Sequence, residues 1–237
     1  MLKRHFVSLA LLIASVAAGA QNLQLHYDFR HALNGSIPAT NYFTSTFEYF
    51  KPDKWGSTFL FVDMDYNQGR GNIGTAYWEI ARDIKIGKYA LMPHIEYNGG
   101  AGNSEGFGFS IANAYLVGAS YSFGCANTHF NTYLAYKYNA FQKVSNDVQW
   151  TMSWSSSLCN NKITLSGFTD VWTENKDRTG VRSGKKIVLL TEPQIWYNVN
   201  SNVSIGSEIE ISNNFYTSSQ YNNRLYVFPT LAGKWTF

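Results

Sequence analysis

The chain has 237 residues and a formal charge of +3, enough for one domain but too weakly basic for a nucleic-acid surface. Aromatic residues make up 16% and charged residues only 15%, where a soluble domain usually carries about 25% charge. Aromatic girdles around a polar lumen account for both deviations, and no second long apolar run exists to build a helical membrane protein.

The N-terminus opens with Lys3, Arg4 and His5, followed by the apolar run Phe6 to Val16 and the small residues Ala18-Gly19-Ala20. This pattern predicts a secretory signal peptide, residues 1–20, cut between Ala20 and Gln21. Its apolar run is too short to span a bilayer. Removing Lys3 and Arg4 leaves a mature chain, residues 21–237, with a charge of about +1.

From Leu23 onward the sequence alternates with period two, strand after strand. In the first strand Leu23, Leu25, Tyr27 and Phe29 oppose Gln24, His26 and Asp28. The predicted strands that follow are 41–50, 57–66, about 74–86, 91–98, 109–123, 128–139, 148–158, 163–174, 187–198 and 203–212. The terminal stretch, 224–237, places Leu225, Val227, Leu231, Gly233, Trp235 and Phe237 on one face. Tyr226, Phe228, Thr230, Lys234 and Thr236 take the other. Twelve strands is an even number, as single-chain bacterial barrels require. A strand ending on Phe237 would be a sticky edge in water, but it suits the closing strand of a barrel whose outside meets lipid. A terminal Phe in that setting resembles the signal read by the barrel assembly machinery.

The connections are expected to alternate between a longer set (30–40, 67–72, 99–108, 140–147, 175–184, 213–223) and a shorter set (51–56, 87–90, 124–127, 159–162, 199–202). This is the loop pattern of an outer-membrane barrel with both termini periplasmic. Cys125 and Cys159 fall in two short turns. An oxidising compartment permits a disulfide between them, while the hairpin separating the turns argues against one. Arg82 shares the lipid-facing parity of Trp78, Ile80, Ile84 and Ile86. Either a bulge reverses the parity there, or the side chain sits low enough to reach headgroups.

With the apolar face outward, the lumen receives Asp63 and Asp65, Glu79, His94 and Glu96, Asp170, Glu192, and Glu208 and Glu210. These form two acidic arcs facing each other across the ring, with Lys85, Lys137 and Lys234 as fewer basic partners. Phe59, Phe61, Tyr133, Phe168, Trp172, Trp196 and Phe228 share the inward parity. Rings offer stacking faces and carboxylates accept hydrogen bonds, a lining suited to neutral, flat, hydroxylated solutes and repellent to anions. The alternative is that these acids and bases brace a narrow lumen as ion pairs.

Four segments carry a family likeness: residues 51–65 (KPDKWGSTFLFVDMD), 76–82 (AYWEIAR), 165–172 (LSGFTDVW) and 191–197 (TEPQIWY). They resemble the nucleoside-specific outer-membrane channel Tsx and, more closely, its uncharacterised Tsx-like branch. That resemblance implies a monomeric twelve-stranded barrel passing nucleosides across the bacterial outer membrane. It also implies solute contacts from Phe59, Phe61, Asp63, Asp65, Glu79, Phe168, Asp170, Trp172, Glu192 and Trp196.

Two other functions compete with a passive, non-enzymatic channel. One is a closed structural or partner-binding barrel. The other is a lipid acyl hydrolase, which needs a Ser held by His near the outer face; His26, His94 and His129 are all inward by parity, and no G-x-S-x-G elbow is present. Dispersed histidines and the lack of a C-x-x-C pair point to no metal and no cofactor. Gly69, Gly71 and Gly74 precede no helix, so they do not form a phosphate loop.

Overall fold

The computed structural model describes residues 20–33, 40–104, 106–181, 183–216 and 223–237. The predicted signal segment up to residue 19 lies outside the described residues, as do parts of four predicted long loops. Thirteen strand segments form one sheet: β1 (Ala20–Asp28), β2 (Tyr42–Asp53), β3 (Gly56–Asp65), β4 (Thr75–Ile84), β5 (Leu91–Ser104), β6 (Phe107–Cys125) and β7 (Thr128–Asn139), then β8 (Ser145–Leu158), β9 (Ile163–Asn175), β10 (Lys185–Thr191), β11 (Gln194–Asn198), β12 (Val203–Asn213) and β13 (Leu225–Thr236). A short helix, α1 (Arg30–Leu33), follows β1.

β10 and β11 are two halves of one stave. Both pair with β9 and with β12 in a single register, interrupted only at Glu192-Pro193. Pro193 has no N–H to give the ladder, and Gly167 faces the break with φ +150°. A Cβ on Gly167 would lie 2.5 Å from the Glu192 carbonyl oxygen. Counted as one stave, they make twelve antiparallel strands, the number read from the sequence. The ring closes through β13, which pairs with β12 from Val203↔Trp235 to Asn213↔Leu225 and with β1 from Asn22↔Thr236 to Asp28↔Thr230.

The period of two sorts the side chains as expected. Leu23, Leu25, Ile95, Val117, Leu134, Ile187, Ile195, Leu225 and Leu231 stand exposed on the outer wall. Gln24, His26, Asp28, His94, Glu96, Lys137, Gln149, Trp196 and Phe228 are buried within the barrel. An apolar outside over a polar inside inverts a soluble protein and fits only a wall that faces lipid.

Three expectations change. The Gly-rich run 99–108, predicted as a loop, is strand: β5 and β6 pair up to Ser104↔Phe107, after one register shift at Asn98/Gly100. Gly99, Gly100 and Gly102 are strand residues where neighbours fill the space a Cβ would take; at Gly102 that atom would meet the Phe109 ring at 2.1 Å. The strict alternation of long and short connections therefore breaks at this hairpin. Cys125 and Cys159 are both free and exposed, at the ends of different hairpins, so no disulfide joins them. Lys85 is exposed in the turn after β4 and is not a lumenal base.

Arg82 keeps its outward parity, because β3 and β4 hold one register from Gly56↔Ile84 to Asp65↔Thr75 with no bulge. It sits near the short-turn end. There both guanidinium nitrogens reach Asp53 at 2.8 Å, and one also donates to the Thr58 hydroxyl at 2.9 Å.

Candidate functional site

The lumen is lined by two hydrogen-bonded arcs. The first begins on β4 and β5. His94 Nδ1 lies 2.8 Å from an Asp83 oxygen and Nε2 lies 3.2 Å from Glu96 Oε2, a geometry that a doubly protonated ring satisfies. The ring stacks on Tyr133 with centroids 3.9 Å apart. Tyr133 donates its hydroxyl to the same Glu96 oxygen at 2.8 Å and accepts from Gln149 Nε2 at 2.9 Å. Gln149 accepts from Lys137 at 2.6 Å and donates to Thr151, whose hydroxyl donates to Asp170 Oδ1 at 2.6 Å. Lys137 also caps the Trp172 ring at 4.4 Å. Five strands, β4, β5, β7, β8 and β9, thus contribute to one continuous polar chain along the inner wall.

The second arc runs over the closure. Asn22 donates to Glu48 at 2.8 Å, Gln24 donates to Asn22 at 2.8 Å, and Gln24 Oε1 lies 2.9 Å from His26 Nε2. The His26 ring meets Trp196 edge-on at 6.0 Å. Trp196 donates to Gln194 at 2.9 Å, and Gln194 donates to Glu208 at 2.6 Å. Lys234 lies over the Trp196 ring at 4.0 Å.

All the acidic residues expected in the lumen are there. Asp63 and Asp65 accept from Thr46 and Thr44 at 2.5 and 2.7 Å, Glu79 from Tyr77 at 2.7 Å, and Glu210 from Ser212 at 3.0 Å. Glu192, at the β10–β11 break, lies in the field of the carboxylates of Glu208, Glu210, Asp63 and Asp170, which stand on three strands, β12, β3 and β9. Its own carboxylate has no hydrogen-bond partner among the described residues. Phe59 and Phe61 pair as tilted rings 6.0 Å apart on β3, while Phe168 packs against the cluster of Trp172, Val188 and Leu190. The two arcs hold separate sets: Trp172, Asp170, His94 and Glu96 in one, Trp196 and Glu208 in the other.

Arg30 was missed by sequence reasoning. From α1 it binds Asp28 through Nε at 2.8 Å and reaches Glu210 at 3.4 Å. Its guanidinium is ringed by Tyr42, Tyr216 and Phe228 at 4.9, 5.5 and 4.5 Å from the ring centroids. A loop has no period from which such an insertion can be read. Gln24, Gln149 and Gln194 were also missed, although their inward parity on polar strands was a usable signal. At the short-turn end the lumen opens into a cavity of about 510 Å³ lined by Asn160, Asn161, Lys162, Asn198, Asn200 and Lys234, among others. His26, His94 and His129 lie on the inner wall as expected. None of them hydrogen-bonds a serine among the described residues.

A closed barrel with an apolar belt and a carboxylate-rich lumen defines the outer-membrane type of β-barrel. The chain belongs to the family described as Domain of unknown function (DUF5020), which matches residues 20–237. In fold it is similar to the structure titled NanC porin, with a TM-score of 0.57 at 10% identity over 92% of this chain and 100% of that one. Weaker likenesses are to LpxR from Salmonella typhimurium (TM-score 0.48, 8% identity, 92% and 100% covered) and to the outer membrane channel DcaP of Acinetobacter baumannii (0.44, 8%, 92% and 96%). No curated protein matches the sequence.

Proposed function

We propose that this barrel is a passive, substrate-selective channel of the bacterial outer membrane for nucleosides or similar small neutral solutes. The observation that carries this reading is the lining. Unpaired or singly bonded carboxylates (Glu79, Asp170, Glu192, Glu208) alternate with aromatic faces (Phe59, Phe61, Trp172), giving hydroxyl and amino groups many acceptors and a base a surface to stack on. The blocks resembling the Tsx group support the same solute class. In this reading outer-membrane lipid covers the apolar belt, the short turns and both termini are periplasmic, the signal segment is removed before Gln21, one chain makes one channel, and Phe237 is read during assembly.

Reconstituted vesicles test it. Nucleoside uptake is expected to saturate and to weaken severalfold in Asp63→Ala; linear flux unaffected by the substitution rejects selectivity. A closed structural barrel is the second reading, favoured by the complete burial of Trp196 and Phe228 inside the wall. It predicts no single-channel conductance in a planar bilayer.

A further inference from the structure

The first polar arc ends in a set of atoms with one property in common. On Glu96, Oε2 takes the His94 and Tyr133 donors, while Oε1 is buried with no geometrically formed hydrogen bond and has only the neighbouring Asn98 amide beside it. Next to it on the same face of β5, the Asn98 side chain is 3% exposed and its Oδ1 is also buried without a partner. Glu79 stands directly opposite Asn98 in the β4–β5 register. Its Oε1 accepts from Tyr77 and its other oxygen has no donor among the described residues. Asp170 presents the same split, with Oδ1 on Thr151 and the second oxygen bare. Glu79 and Glu96 stand on the same inner face of neighbouring strands, and the hydrogen-bonded run Glu96–Tyr133–Gln149–Thr151–Asp170 joins the third carboxylate to them.

Every one of them is an acceptor. Water can bridge acceptors, but a buried acceptor left unmatched is costly, and among the described residues these three carboxylates have Lys137 and the shared His94 as cationic partners. A ligand that completes this set must bring several N–H donors and positive charge. We propose that Glu79, Glu96, Asn98 and Asp170 form a lumenal subsite for a protonated primary amine, so that the channel also admits amine-bearing solutes. Glu79 and Asp170, half-buried, meet the amine first, and Glu96 and Asn98 stand behind them. Tyr77 and Tyr133 flank it as hydrogen-bonded rings.

The inference deepens the channel reading but is tested apart from it, because binding by the detergent-folded barrel needs no conductance. Isothermal titration compares glucosamine, protonated at neutral pH, with glucose, its uncharged twin. Saturable binding of glucosamine alone is expected, weakened about tenfold or more in Glu79→Gln and in Asp170→Asn, as the loss of a charge-assisted contact requires. Methylammonium is expected to compete and sodium not to. The two substitutions on different strands guard against a single misfolded variant, and heat-modifiable gel mobility checks each fold. Equal binding of both sugars, binding of neither, displacement by sodium at the same concentration as methylammonium, or unchanged affinity in two folded variants each overturn the assignment.

Discussion

His94 shows what the lumen asks of single residues. Its ring lies between two carboxylates and against Tyr133, so removing it strands acceptors that cannot reach water. His94→Leu is expected to destabilise the folded barrel by about 3–5 kcal/mol, measured by urea unfolding in lipid vesicles. Replacing Glu96 as well should recover part of that loss, because no unpaired charge then remains on β5. Arg30 is the corresponding residue at the other end of the lumen. Its charge is neutralised by Asp28 and Glu210 and enclosed by three rings. Arg30→Ala is expected to loosen the segment after β1, read as faster amide exchange over residues 30–33 with little change elsewhere.

At the scale of elements, the instructive feature is the broken stave. Pro193 and Pro229 both stand opposite Ile209, one on each side. The ladder survives there through Ile209 N to Pro193 O at 3.0 Å and Glu192 N to Phe168 O at 3.1 Å. Since the missing N–H of Pro193 falls where pairing has already opened, Pro193→Ala should leave stability almost unchanged. Gly167→Ala should not. Its new methyl would press on the Glu192 and Pro193 backbone, which has little freedom to yield, at a cost of about 1–3 kcal/mol. The same unfolding assay separates the two outcomes.

For the whole molecule, the excess of lumenal acids over Lys137, Lys234 and Arg30 predicts a pore that prefers cations to anions. A reversal potential in a potassium chloride gradient measures it, and anion preference would contradict the lining. Much of this was legible in the sequence. Lipid outside and water inside impose a strict period of two, so parity alone placed Asp63, Glu79, Glu192 and their neighbours on the inner wall and closed the ring with residues 224–237. What the sequence did not show depends on relations between strands. Which donor meets Glu96, that Thr151 reaches Asp170, and that Arg30 turns back onto Glu210 all follow from register and curvature, which period two does not encode. The glycines at 99–102 read as a loop because the rings that fill their missing side chains come from the neighbouring strand or from along their own.

The cavity at the short-turn end is lined by amides, hydroxyls, Lys162 and Lys234, with no carboxylate among its walls, whereas the acids gather deeper in. Fixed charge is therefore unevenly distributed along the axis of passage. The proposed channel, graded in this way, is expected to rectify. Under equal and opposite voltages in symmetric salt its currents differ in size, and the direction of easier flow reports which mouth faces which chamber.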